Sequence, residues 1–529
     1  MKQHLTTFIL ALTYLCAHAQ APNWSWAQRA GTTGYDWGFK TTTDVLGNIY
    51  VIGSYDSPSI TFGTNTLTNG GMYIVKYDAS GNVLWAKDAG GAGNSSGIGI
   101  ITDALGNIYI TGSFSTLITF GTTTLSSEGL RDIFIVKYDA LGNILWAKSA
   151  GNTNYDDGNS ITTDGLGNVY VTGTFWSPTI TFGATTLTNA GSSPDIFVVK
   201  YDASGNVIWA KSAGGSPMDY AISITSDYSN NVYVSGHYYS PSITFGATTL
   251  INAGYGDIFI AKYDTSGNVL WAKGAGGAGN DESYSIITSP SGYFYVIGNF
   301  NSPSLTFGPT ILTHLGNTDD IFVVKYDAFG NAIWAKSIGG TGNEKGNCIT
   351  VDSNENVYII GNYNSSSLNL GADTLINQGS YDFFIEKLDS SGNILWSKGT
   401  GSVGDDEGLG VVASLAGEVY VTGYYSDLIS FEATTLTNAG ILDMFFSKLD
   451  IANVAIEEEN QPNEIKIFPN PSNGIFTFNE IIKSIEVFNM MGELVLSQGN
   501  AKQINLQGFP KGIYVARVNG IQVCRLVKE

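Results

Sequence analysis

Apolar and polar residues alternate in short runs along most of this 529-residue chain. The segment from Gly158 to Lys211 shows the pattern. Ser160-Ile161-Thr162-Thr163 predicts a short strand, closed by the turn Asp164-Gly165-Leu166-Gly167-Asn168. Val169-Tyr170-Val171-Thr172-Gly173, β-branched and aromatic, predicts a second strand. The connection after it contains Ile180-Thr181-Phe182-Gly183 and Thr185-Thr186-Leu187, a small hairpin. Asp195 to Tyr201 predicts a third main strand. A second turn, Asp202 to Asn206, leads into the fourth, Val207-Ile208-Trp209-Ala210-Lys211. In both turns Asp accepts backbone N–H bonds and Gly takes the positive-φ position of a bulged hairpin. Beyond the N-terminus no long stretch has the 3.6-residue period of a helix, so the chain reads as all-β.

The unit repeats. A W-A-K/Q or W-S-K tag stands at Trp26, Trp85, Trp146, Trp209, Trp271, Trp334 and Trp396, at intervals of 59, 61, 63, 62, 63 and 62 residues. Four antiparallel strands per unit at this period predict the blades of a propeller. The second-strand Tyr occurs seven times, at Tyr50, Tyr109, Tyr170, Tyr233, Tyr295, Tyr358 and Tyr420. Six units run on to their own Trp strand. The seventh ends at Asp443 to Asp450 without one, and the missing strand stands at Ser25-Trp26-Ala27-Gln28. The predicted fold is therefore a seven-bladed β-propeller closed by an N-terminal strand, which leaves no open sheet at the seam. The first strands are small and polar-leaning, which suits the crowded axis, and the Trp strands are expected outermost with their rings between blades.

The pattern G-N-x-Y-V-x-G, followed by D-I-F-V-V-K-Y-D-x-x-G-N-x-x-W-A-K, resembles the bacterial β-propeller repeats known as SBBP repeats, over roughly residues 22 to 450. The resemblance implies an exported seven-bladed propeller and no defined activity.

A charged, Pro-containing stretch over 451–463, with Glu457-Glu458-Glu459, reads as a solvated linker. β-Patterned sequence of another style fills 464–529. It contains Phe468-Pro469-Asn470-Pro471, Gly474, Val487-Phe488-Asn489-Met490-Met491-Gly492, Gly512-Ile513-Tyr514-Val515 and a terminal Lys528. This segment is similar to the type A C-terminal sorting domain of the type IX secretion system. The resemblance implies a small β-sandwich that engages the secretion machinery, with Pro469, Asn470, Pro471, Gly474, Gly492, Gly512, Tyr514 and Lys528 as its motif residues.

The first nineteen residues read as a signal peptide. Lys2 supplies the charge, Leu5 to Leu15 an apolar core too short to span a bilayer, and Ala17-His18-Ala19 a cleavage site before Gln20. The domain reading is thus 1–19 signal peptide, 20–450 propeller, 451–463 linker and 464–529 sorting domain, with no transmembrane segment in the mature chain and a secreted or outer-surface-attached product. The mature chain keeps Cys348 and Cys524, which fall in different predicted domains. An exported chain without a disulfide framework depends on burial for its stability. The formal net charge is −21. That balance excludes nucleic acid, which requires a basic footprint, and docking on anionic lipid.

No catalytic constellation emerges. His237 and His314 lie in no paired metal spacing, and no nucleophile elbow, P-loop or dinucleotide fingerprint appears. His237 reads as a loop substitution. The loops from each Trp strand to the next first strand are acidic: Asp36, Asp156 and Asp157, Asp219, Asp281 and Glu282, Glu344, and Asp405, Asp406 and Glu407. Carboxylates gathered near one axis suggest a cation such as calcium, with Asp405, Asp406 and Glu407 as metal candidates. A solvated acidic face, or carboxylates holding loop N–H groups, is the competing reading. Trp37 and Trp176 break the repeat in loops of that face, so either suits stacking on a sugar or peptide. Together with Asp156, Asp157, Asp219, Asp281 and Glu282 they form the candidate ligand site. Trp24 is expected to pack at the seam. The function that fits is a secreted or surface binding scaffold for a glycan or protein. The alternative is an exported polysaccharide hydrolase or lyase working through loop acids.

Overall fold

The computed structural model describes residues 21–90, 94–316, 318–450, 467–489, 493–519 and 522–529. The signal peptide at 1–19 and the linker at 451–463 lie outside the described residues, as does Gly492. Among the described residues every regular element is a β-strand.

The repeat builds seven four-stranded sheets. In one of them Asp156–Thr163, Val169–Phe175, Asp195–Tyr201 and Val207–Ala213 pair antiparallel in chain order. The hairpin foreseen in the connection forms from Thr179–Phe182 and Thr185–Thr188. Six sheets draw all their strands from one stretch of chain. The seventh joins Asp406–Ala413, Val419–Tyr425 and Asp443–Leu449 to the N-terminal strand Trp24–Ala30. That strand runs antiparallel to Asp443–Leu449, from Trp24 opposite Leu449 to Ala30 opposite Met444. The first strand of each sheet lies against those of its two neighbours, and Asp406–Ala413 lies against Asp36–Thr43. The sheets are therefore blades of a closed ring, with the first strands innermost.

Second and third strands are buried along nearly their whole length; Ile49–Tyr55 and Asp132–Tyr138 expose no residue. They are covered on both faces by adjacent blades, which explains why they read as continuous apolar runs. The Trp strands are outermost, as expected, but only Trp209 and Trp396 among the repeat tryptophans are fully buried. The indole reaches sideways onto the next blade, where the Nε1 of Trp146, Trp209 and Trp334 donates to the turn carbonyls of Ala203, Thr265 and Ser390 at 3.2, 3.1 and 3.2 Å. A third-strand lysine takes the same route. Lys76 and Lys200 lie 5.0 Å from the ring centroids of Tyr50 and Tyr170, and their ammonium groups donate to Ala140 and Thr265 of the following blade.

This bridge explains the glycine in the second turn. Gly267 has φ +81°, and a Cβ there would stand 2.8 Å from the Trp209 ring. Gly417, in the first turn of the last blade, has φ +84° and open space around it. Left-handed strain alone costs about 1–2 kcal/mol. Gly267→Ala is therefore expected to destabilise the ring by roughly 2–3 kcal/mol, and Gly417→Ala by roughly the strain alone. Chemical denaturation of both variants checks this; equal losses would remove the indole from the explanation.

At the C-terminus, Ile467–Phe468, Ile475–Phe488, Leu494–Asn505, Gly512–Val518 and Gln522–Lys528 form one five-stranded antiparallel sheet. The small β-sandwich expected here is built from one continuous sheet: the 14-residue strand Ile475–Phe488 changes register between Thr477 and Ile482, and the sheet folds round a single core. Phe476 and Phe478 from one end share that core with Val487, Ala516 and Leu526 from the other.

Candidate functional site

Strand register sorts the loops. Asp156 pairs with Phe175 and Phe175 with Asp195, so the start of the first strand, the hairpin connection and the start of the third strand lie at one face. The D-x-x-G-N turns occupy the opposite face. There Asp44 accepts N–H bonds from Leu46 and Asn48 at 2.9 Å and the Tyr50 hydroxyl at 3.0 Å.

On the first face each inner strand alternates between burial and the axis. Its first residue is Asp36, Ser95, Asp156, Asp219, Asp281, Glu344 or Asp406, and all seven are buried. The six carboxylates among them hold the loops together. Asp156 accepts the Ser177 hydroxyl at 2.7 Å and the Asn152 N–H at 2.9 Å, and Ser240 and Ser302 donate to Asp219 and Asp281 at 2.7 Å. Burial pushes Asp36 and Asp281 up to about 6 and Asp406 up to about 7, and raises Asp156 and Asp219 as well. Asp156, Asp219 and Asp281, expected among the ligand-contacting acids of the loop face, lie inside, as scaffolding for the loops.

The second residue of each inner strand is half-buried at the mouth of the axis: Trp37, Ser96, Asp157, Tyr220, Glu282, Lys345 and Glu407. The fourth is the bulged residue, and Phe39, Ile98, Asn159, Ile222, Tyr284, Asn347 and Leu409 line an axial cavity of about 510 Å³. No residue type recurs around either ring more than twice, whereas the blades behind them are near copies. Three of the mouth residues, Trp37, Asp157 and Glu282, belong to the sequence-derived site. Tyr220, Lys345 and the cavity residues were missed. Alignment of the seven inner strands by the position after the buried acid is the signal that would have found them.

Two sectors of the mouth stand out chemically. On the first blade Tyr35, Trp37 and Phe39 form a strip of near-parallel rings, with centroids 5.4 and 6.1 Å apart and interplanar angles of 11° and 14°. On the fifth, Glu282 accepts the Tyr239 hydroxyl at 2.6 Å, the Asn280 side-chain N–H at 2.7 Å and the Tyr284 hydroxyl. Burial opposes ionisation of Glu282, but His237, whose Nε2 lies 4.0 Å away, and the three donors outweigh it and hold the carboxyl below its ordinary range. His237 is buried between Tyr220, Tyr239 and Tyr284, and burial lowers it. It sits within a built cluster, where a loop substitution was expected.

Asp157 pairs with Arg131 at 2.7 Å, and Trp176 meets Tyr155 edge-on at 6.4 Å beside this pair. Asp405, Asp406 and Glu407 do not converge. Consecutive residues of a strand face opposite ways, so Asp406 turns inward to the Ser402 hydroxyl at 2.6 Å while Asp405 is exposed. Among the described residues no group of three His, Cys, Asp or Glu side chains is arranged to hold a metal ion.

In the C-terminal sheet the motif residues tie loops together. The Val527 N–H donates to Asn470 Oδ1 at 2.8 Å, within Pro469-Asn470-Pro471. Gly474 carries φ +109° against Gln507, and its carbonyl accepts the Leu506 N–H at 2.6 Å. Gly512 carries φ +152° with open space around it. The Tyr514 hydroxyl donates to Pro510 at 2.7 Å and Lys528 Nζ to Gln507 at 2.9 Å.

Residues 466–528 match the family model of a secretion system C-terminal sorting domain, and residues 145–177 that of a beta-propeller repeat, SBBP. An uncharacterized WD repeat-containing protein, L264, of Acanthamoeba polyphaga mimivirus is 26% identical over 481 residues, covering 72% of this chain and 34% of its own length. The regulatory protein FlaEY of Caulobacter vibrioides is 24% identical over 384 residues, covering 68% and 39%. The chain thus spans a little over a third of these relatives. Among solved structures, BamB from Moraxella catarrhalis aligns over 80% of this chain and 99% of its own at 12% identity and TM-score 0.34. YCF48 bound to D1 peptide aligns over 82% and 100% at 9% identity and TM-score 0.37. The chain carries SBBP-type propeller repeats and a type IX sorting tail, and export to the medium or cell surface through that machinery follows from the tail. Among the described residues no helix is long and apolar enough to cross a membrane.

Proposed function

We propose that this exported chain is a binding scaffold, secreted or held at the cell surface, that recognises a glycan or a protein through the loop face around the axis. Residues 1–19 serve as the signal peptide, 20–450 as the binding ring, 451–463 as the linker and 464–529 as the sorting domain. The observation that carries the reading is the mouth ring, where near-identical blades present seven mostly different side chains. Residues that build blades repeat; those that meet a ligand need not. Trp37, Trp176, Asp157 and Glu282 provide contacts, while Asp156, Asp219 and Asp281 fix the loops that carry them. A hydrolase or lyase using Asp156 or Asp281 is disfavoured, because both carboxyls are enclosed and already hydrogen-bonded.

Purified mature protein is expected to retain a ligand on glycan and protein arrays. Parallel arrays with a chelator test calcium dependence. No retention under either condition would overturn the reading.

A further inference from the structure

We propose, building on the loop-face reading, that the Tyr35–Trp37–Phe39 strip and the Glu282 cluster across the axis form a subsite for an uncharged polysaccharide, and that this subsite rejects polyanionic ones. Residues two apart on one strand point the same way, so the three rings run in line from the loop face into the cavity. Tyr35 is 38% exposed, and Trp37 and Phe39 are half-buried, with Phe39 in the cavity wall. No other blade places three aromatic residues there; the matching positions are Asn94, Ser96 and Ile98 in the next blade and Asp405, Glu407 and Leu409 in the last. The rings overlap one another in offset stacks, so what they present is a continuous apolar surface of ring edges and partly uncovered faces, against which the C–H face of a saturated ring can lie, and a patch of this kind marks a contact surface.

The polar half of such a ligand has a partner opposite. Glu282 is held by three donors, so it is a rigid acceptor for hydroxyl groups, and Asn280 and Tyr239 stand beside it. Charge selects within the polysaccharides. The mouth carries Asp157, Glu282 and Glu407; Arg131 is paired with Asp157, and Lys345 is the further cation of the ring, so a negative balance remains on a chain of net charge −21, and like charge at close range disfavours a polyuronate or sulfated chain. A peptide would draw on pockets or an open strand edge, whereas the strip is a continuous run of stacked rings.

The test is affinity electrophoresis of the full mature protein in gels containing laminarin, mannan or alginate. Variants are Trp37→Ala, Tyr35→Ser, Glu282→Gln, Trp176→Ala and, as a control in a turn of the opposite face, the exposed Phe329→Ala. Retardation by laminarin or mannan but not alginate is expected. Trp37→Ala should weaken it at least tenfold with an unchanged melting temperature, and Phe329→Ala should leave it intact. Tyr35→Ser, expected to weaken binding several-fold, serves if Trp37→Ala fails to fold. Equal or stronger retardation by alginate, or neutral-glycan binding indifferent to both strip variants, would overturn the subsite. Binding lost only in Trp176→Ala would overturn the strip while leaving the loop-face reading standing. Failure to bind any polysaccharide, with a protein retained on the arrays, would have the same effect.

Discussion

Removal of Gln20–Gln28 is expected to cost the ring more than ~5 kcal/mol of stability, since large-to-small changes at buried aromatics alone cost about 3–5 kcal/mol each. The deletion takes out two tryptophans. Trp24 is buried against Phe383 and Phe431, with ring centroids at 6.1 and 5.1 Å, and Trp26 packs on Phe446 at 5.2 Å. It also takes out the Gln28 side-chain bond to the Gly81 carbonyl, 2.8 Å long, which ties the closing strand to the first blade. What remains is Asp443–Leu449 as a long apolar edge, which invites pairing with another chain. Thermal unfolding should show a large fall in melting temperature, and gel filtration should show association. A synthetic peptide spanning Ala21–Ala30 added in trans should reverse both. An unchanged melting temperature would show that the ring does not need the strand.

The second large effect concerns one carboxyl. Glu386 stands in a third strand where five other blades have Val75, Val136, Val199, Ala261 and Val324. It is fully buried, and neither side-chain oxygen has a hydrogen-bond partner among the described residues. Burial pushes it from 4.5 up to about 8, partly opposed by Lys336 and reinforced by Asp373. The folded state therefore holds this proton more tightly than the unfolded chain, and stability falls as pH rises from about 4.5 to 8. Over that window the loss amounts to roughly 4–5 kcal/mol. Glu386→Val is expected to recover most of it at pH 9 and far less at pH 4, as measured by denaturant unfolding at each pH. A gain of the same size at both values would show that the carboxyl does not titrate with folding. The raised Asp36, Asp281 and Asp406 act in the same direction, so the ring should be more stable at pH 5 than at pH 8.

The fold was legible because it is written seven times. The Trp interval marked the blade, and the absence of a tag after Asp443 located the closing strand. Trp24 at the seam and the hairpin at Thr179–Thr188 followed from local pattern. Burial at the axis was not legible. Asp156 and Asp157 are adjacent and chemically alike, yet one anchors Ser177 inside and the other meets Arg131 at the mouth. That difference depends on strand phase, since successive residues of a strand face opposite ways, and the small residue before each bulge, such as Gly158, marks that phase only once the seven inner strands are aligned. For the same reason Asp406 was placed beside Asp405 and Glu407 as a ligand set. His237 lay beyond reach because its significance depends on Glu282, 45 residues away on another blade.

The out-of-phase seam has a further consequence, in time. A ring whose last sheet needs residues 24 and 449 together has no complete fold until almost the whole repeat array has been synthesised and delivered. Contacts across more than 400 residues carry a loop-closure penalty and form late. Any product cut short within the array keeps an unpaired strand at each end, which leaves it prone to aggregation and to proteolysis. The sorting tail begins only after Leu449 in the sequence. Chains that reach the export machinery with a tail are therefore chains that already contain everything needed to close, so the order of the sequence acts as a check on completeness.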